Sequence, residues 1–194
     1  MWVFEEVQSD EEAPWCDLIA SYLPEFTKLD VTVPKNESRV KVLVLLEFLI
    51  RLLGCHFTDL RSPKVLRQIL GEPPAAVYSW LVDNFLGEAR KTRQHGSVLK
   101  SWQQGFFFGQ EGKSKAQLLA AILYMHINDF SCDPSPLCAA IKVSLSTGLF
   151  IFKQIGCKVR VVTEGIGKTS SAVLVAPLVL PDNYNTGRKF KRQR

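Results

Sequence analysis

Between Lys113 and Val175 the hydrophobic pattern of this chain changes period: three helical segments are followed by two alternating ones. The first, Lys113 to Phe130, spaces Leu118, Leu119, Ile122, Leu123, Met125 and Ile127 so as to bury a helix face. Asp133 or Ser135, with Pro136 close behind, can cap a short second helix running to Lys142. Ser144 or Ser146 can begin a third, carrying Leu149, Phe150, Phe152 and Ile155 and ended by Gly156. Cys157 to Val162 then alternates as a strand, 163–168 makes a glycine-containing tip, and Ser171 to Leu180 returns.

A looser copy precedes it, from Ser38 to Lys100. Ser38 can cap a long helix with apolar residues from Val40 to Leu53, a stripe wide enough to be buried on more than one side. Ser62-Pro63 opens a second helix that runs to Leu70. A third starts near Pro73-Pro74, carries Val77, Trp80, Leu81 and Phe85, and stops at Gly87. The next residues, Glu88 to Lys100, read as a short basic hairpin turning near His95-Gly96. Trp102, Phe106, Phe107 and Phe108 are then either its return strand or an aromatic connector. Helix, helix, helix, strand, turn, strand, twice over, predicts a mainly α chain with small β wings: a tandem winged-helix domain. The expected division is an acidic leader or linker over 1–36, a first winged helix over 37–108, a second over 109–181 and a basic tail over 182–194.

Charge separates these parts. Residues 1–36 hold eight acids and two bases, whereas the rest of the chain holds 22 bases and 11 acids. An acidic leader on a basic body points to polyanion partners. One short helix is expected in the leader, Ala13 to Leu23, with Pro24 and Pro34 breaking the chain after it. No apolar run, Val42 to Leu46 among them, comes near the ~20 residues of a bilayer span, so no membrane partner is expected. The acid-bearing N-terminus does not read as a secretory signal. Five scattered cysteines without a Cys-x-x-Cys pair read as free thiols in a reducing compartment.

Chemistry-bearing motifs fail on inspection. Gly165-Ile166-Gly167-Lys168-Thr169 resembles a phosphate loop, but Val162 stands where that motif needs its first glycine, and no helix comes after it. His126, Cys132 and Cys138 match no common zinc spacing. None of His56, His95 and His126 sits in a nucleophile context. No catalytic residue, metal or cofactor is therefore assigned, and the chain reads as a non-enzyme. The basic positions are sharper. Arg90, Lys91, Arg93 and Lys100 fall on the first hairpin, and Lys153, Lys158, Arg160 and Lys168 on the last helix and second wing. A wing can contact backbone phosphates while the third helix enters a groove; the plain alternative is a solvated, charged edge. The third helices offer little for reading bases beyond Tyr78, Ser79 and Asn84, so binding should be backbone-led. Arg188, Lys189, Lys191 and Arg192 in the tail read as a localisation signal or a further nucleic-acid contact.

The run Ala116 to Phe130, with its Leu-Tyr-Met-His-Ile-Asn-Asp-Phe ending, resembles a helix in the C-terminal half of the forty-nine-kilodalton subunit of RNA polymerase I, called a polymerase-associated factor in animals. The likeness continues through the helix near Leu137, the strand Lys158 to Val162, the Leu178-Val179-Leu180-Pro181 exit and the basic tail, and more weakly through Arg39 to Leu53. It implies a tandem winged helix similar to that of TFIIE. It also implies DNA binding near the polymerase I cleft, support of initiation and elongation on ribosomal RNA genes, and residence in the nucleus and nucleolus. Implied partners are duplex or partly melted DNA, the polymerase I core and initiation factors. A smaller dimerisation subunit would be bound only through an N-terminal barrel for which this chain has no room. The rival reading is a winged-helix protein-interaction module without DNA binding, resting on the apolar helix Val40 to Leu53 and on Trp102 and Phe106 to Phe108.

Overall fold

The computed structural model describes residues 15–56, 58–88, 105–164 and 167–175, with the backbone alone at 88, 162–164, 167 and 168. The segment expected to be an acidic leader contributes a core helix, α1 (Asp17–Phe26), which buries Leu18, Ile19 and Phe26. Pro24 does not break it but lies inside it. A proline removes one intrahelical hydrogen bond, and here burial of Phe26, two residues on, offsets that loss. Pro34 likewise opens α2 (Pro34–Gly54) instead of interrupting the chain, because a first-turn N–H has no partner to lose. Ser38 is consequently one turn inside α2, and its hydroxyl donates back to the Pro34 carbonyl at 2.9 Å.

Beyond α2 come a 3-10 turn (Asp59–Arg61), α3 (Pro63–Ile69), α4 (Ala75–Phe85) and two short strands, β1 (Gly87–Glu88) and β2 (Phe106–Phe107). Gly87 pairs with Phe107 and Glu88 with Phe106, so 106–107 is the return strand of the first hairpin. Next is α5 (Gln110–Ile127), then β3 (Ser131–Cys132), α6 (Ser135–Ala140), α7 (Leu145–Gln154), β4 (Cys157–Glu164) and β5 (Gly167–Leu174). The last three strands form an antiparallel sheet in the order β3-β5-β4. The described chain is thus mostly helical with small antiparallel sheets, as the mainly α expectation has it. In the first half the 3-10 turn lies beside β2, as β3 lies beside β5 in the second. β3 is two residues long and leaves no periodic trace in the sequence.

α2 packs against α5, and both halves contribute to one continuous core. Arg39 fastens the pair: its Nη2 donates to the Ile127 carbonyl at 3.1 Å, and its guanidinium lies 5.5 Å over the Phe26 ring. A cation at a helix C-terminus is favourably placed against the helix dipole. α5 stops short of the expected Phe130 because Asp129 and Phe130 turn to φ of 49° and 64°, and the Phe130 N–H closes on the Met125 carbonyl at 2.8 Å. Ile122, expected in the core, is 48% exposed. Among the described residues no helix is long and apolar enough to cross a membrane.

Asp133 joins α6 to the sheet. Its Oδ1 accepts from the Ser135 N–H at 3.0 Å, the Ser135 hydroxyl at 2.8 Å and the Ser170 hydroxyl at 2.7 Å. Partial burial raises the carboxyl pKa, but the bonds from Ser135 and Ser170 together bring it below the ordinary value. Its stabilising contribution is therefore complete above the ordinary carboxylate pKa, about 4, and is lost as pH falls through the lowered folded value. Asp133→Ala should cost about 1 kcal/mol at neutral pH. Asp133→Asn should flatten the acid limb of a Tm against pH curve, and an unchanged limb would show that these bonds carry no charge-dependent stability.

Candidate nucleic-acid interface

From Pro134 to Thr163 the chain has no acid, and its charged residues are Lys142, Lys153, Lys158 and Arg160. All four are exposed. α7 is positioned at its start by Ser144, whose Oγ accepts the Thr147 N–H at 3.2 Å, and at Gly148, where a Cβ would collide with the Cys138 sulfur on α6. Gly148, Ile151 and Phe152 face inward. Ser146, Thr147, Phe150 and Lys153 are left as one exposed stripe. Phe150, one of the apolar residues expected on this helix, is 60% exposed.

Gly156, at φ 92°, turns the chain into β4. There the strand period puts Cys157 and Val159 inward and Lys158 and Arg160 outward. Across the ladder Lys158 faces Val173 and Arg160 faces Ser171 on β5. The two cations, two residues apart, thus share one face of an edge strand. Such charges also discourage pairing with another sheet. Lys168 pairs with Thr163 at the outer end of the hairpin. Arg90, Lys91, Arg93, Lys100, Arg188, Lys189, Lys191 and Arg192 lie outside the described residues.

The third helix of the first half differs. α4 exposes Ala75, Ala76, Ser79, Trp80, Asp83 and Asn84, with no cation among them. Tyr78 is committed to structure: its hydroxyl donates to the Pro63 carbonyl at 3.2 Å, and Arg67 lies 5.5 Å over its ring. Burial raises its pKa, against a smaller opposing effect of Arg67. Asn84 donates to the Trp80 carbonyl at 2.8 Å. The exposed cations Arg61, Lys64 and Arg67 fall on the 3-10 turn and α3 instead. Of the apolar surfaces offered for protein docking, α2 packs on α1 and α5 and Phe108 is in the core, whereas Trp102 lies outside the described residues. Phe107 remains outward, 64% exposed.

The thiols are poor nucleophiles. Burial, then Glu47, raises Cys16 to about 12, and burial, then Asp59, raises Cys55 to about 11. Burial, then the neighbouring Cys157, Asp133 and Cys138, raises Cys132 to about 12. Among the described residues no three His, Cys, Asp or Glu side chains group as a metal site. His126 is turned to the Phe130 ring, 5.9 Å away, and Cys132 contacts the Met125 sulfur at 3.2 Å.

A family model for A49-like RNA polymerase I associated factors matches residues 5–181. The chain belongs to that family. It is the family to which the run Ala116 to Phe130 pointed, and the A49-like match takes in every described element from α1 to β5. No curated protein sequence matches the chain. Two exposed residues of this A49-like factor, Lys142 and Phe150, are not among the contacts expected from the sequence. Lys142 was detectable from the acid-free stretch around it. Phe150 was not, because Leu149 to Phe152 is apolar throughout and gives a helix no preferred face.

Proposed function

We propose that this A49-like factor is a non-catalytic DNA-binding module of RNA polymerase I, built as two winged helices over 37–108 and 109–181. It binds DNA without reading sequence and supports initiation and elongation on ribosomal RNA genes in the nucleolus. The order α5, β3, α6, α7, β4, β5 with sheet order β3-β5-β4 supports a winged helix in the second half. The order α2, 3-10 turn, α3, α4, β1, β2 supports one in the first. The observation that carries the DNA reading is the acid-free stretch with exposed Lys142, Lys153, Lys158 and Arg160. Exposed cations on a third helix and wing suit phosphates on neighbouring turns of a groove. The same α7 stripe offers no Arg or Asn for base edges, which favours binding independent of sequence. Lys168, the first hairpin's Arg90, Lys91, Arg93 and Lys100, and the tail's Arg188, Lys189, Lys191 and Arg192 are proposed as further phosphate contacts. The polymerase I core is the protein partner.

Docking to protein without DNA is favoured by exposed apolar side chains: Phe107 on β2 at 64%, Ile122 on α5 at 48% and Phe130 just beyond α5 at 46%. Binding to two duplexes of unrelated sequence decides between the readings. Equal affinity for both is expected, and no detectable binding at low salt, or a clear preference for one duplex, contradicts the proposal.

A further inference from the structure

Among the described residues, Phe150 is the largest apolar exposure between α5 and β5, at 60%, and it sits on the stripe whose other members are Ser146, Thr147 and Lys153. Nothing in its own helix explains an outward phenyl ring, since Ile151 and Phe152 already anchor α7 in the core. Trp80 on α4 provides a contrast. It is 38% exposed, its ring leans edge-on against Phe85 at 5.4 Å, and Asp83 and Asn84 lie one turn away. An acid beside Trp80 repels phosphate. Around Phe150 the chain carries only positive charge from Lys142 to Arg160. An exposed ring among hydroxyls and cations matches a nucleic-acid strand, whose bases stack on aromatics while its phosphates meet the cations.

Resting on the DNA-binding reading above, we infer that Phe150 stacks on an unpaired base, so that the second winged helix prefers melted DNA to intact duplex. Bases in an intact duplex are already stacked, and opening a step costs a few kcal/mol. An unpaired base spares most of that cost, so the contact forms where strands have separated. Lys153, one turn further along the same exposed stripe of α7, is placed to hold the backbone of the same strand.

The test compares the full chain on a matched duplex and on the same duplex with a central unpaired bubble, at one salt concentration. Wild type should bind the bubble about tenfold more tightly. Phe150→Ala should lose that preference while keeping the matched-duplex affinity within about twofold, and a wild-type melting curve should verify its fold. Phe150→Leu retains apolar bulk without a π face and should behave like the alanine variant. Phe150→Trp should keep the preference, with its added fluorescence quenched by the bubble. A wild-type preference retained by Phe150→Ala or Phe150→Leu would overturn the inference, as would equal loss on both DNAs. Matched-duplex binding by wild type with no bubble preference defeats this inference alone. No wild-type binding to either DNA at low salt defeats the DNA reading itself.

Discussion

Glu47→Ala should lower stability by about 3–5 kcal/mol, a fall in Tm of roughly 6–20 °C for a chain of this size. Glu47 is 2% exposed on α2, and its Oε1 accepts from Arg51 Nε at 2.6 Å and from the Cys16 N–H at 3.2 Å. One carboxylate thus neutralises a mostly buried guanidinium and satisfies a donor at the N-terminus of α1, where a negative charge also suits the helix dipole. Removing it leaves a cation in a poorly solvated place, which costs more than the pair contributes over apolar replacements. A double Glu47→Met, Arg51→Met change should therefore recover much of the loss. The exposed pairs Lys41–Glu37 and Lys115–Glu111, at 2.6 and 2.8 Å, have similar geometry but stay in water. Breaking either should leave Tm almost unchanged. Hydrogen exchange should show α1 opening first in the Glu47→Ala variant. A variant as stable as wild type would mean that α1 does not depend on this carboxylate.

Gly112→Ala should destabilise by about 2 kcal/mol, against the usual sign. In an ordinary helix that change gains up to about 1 kcal/mol. Here a Cβ at Gly112 would run into the Phe85 carbonyl and lie 3.4 Å from the Phe108 ring. The obstacle is backbone at the end of α4, anchored by the buried Phe85 side chain, so it cannot swing aside as a flexible side chain would. α5 therefore starts its path across the first half at a position where only glycine fits. Chemical denaturation would check this, and a raised midpoint would show that α4 yields easily.

Much of this fold is legible in the sequence because its helices are long or well punctuated. Ser62-Pro63 and Ser144 mark real helix starts, and the alternation Cys157 to Val161 places Lys158 and Arg160 on one face. Other features are set by tertiary contact. Pro24 is tolerated inside α1 because Phe26 reaches the core, and Phe130 adopts a positive φ because the chain must turn into β3. The candidate site divides in the same way. Its sign of charge is visible in composition, whereas the outward turn of Phe150 depends on Gly148 fitting against Cys138.

The most direct test of the central claim is duplex affinity across a salt series, for wild type and for a variant with Lys142, Lys153, Lys158 and Arg160 replaced by glutamine. If these side chains hold phosphates, log affinity falls linearly with log salt, with a slope near −0.9 per contact. The variant's slope should then be shallower by roughly 3 to 4, with equal losses on unrelated sequences. An unchanged slope in the correctly folded variant would contradict the account.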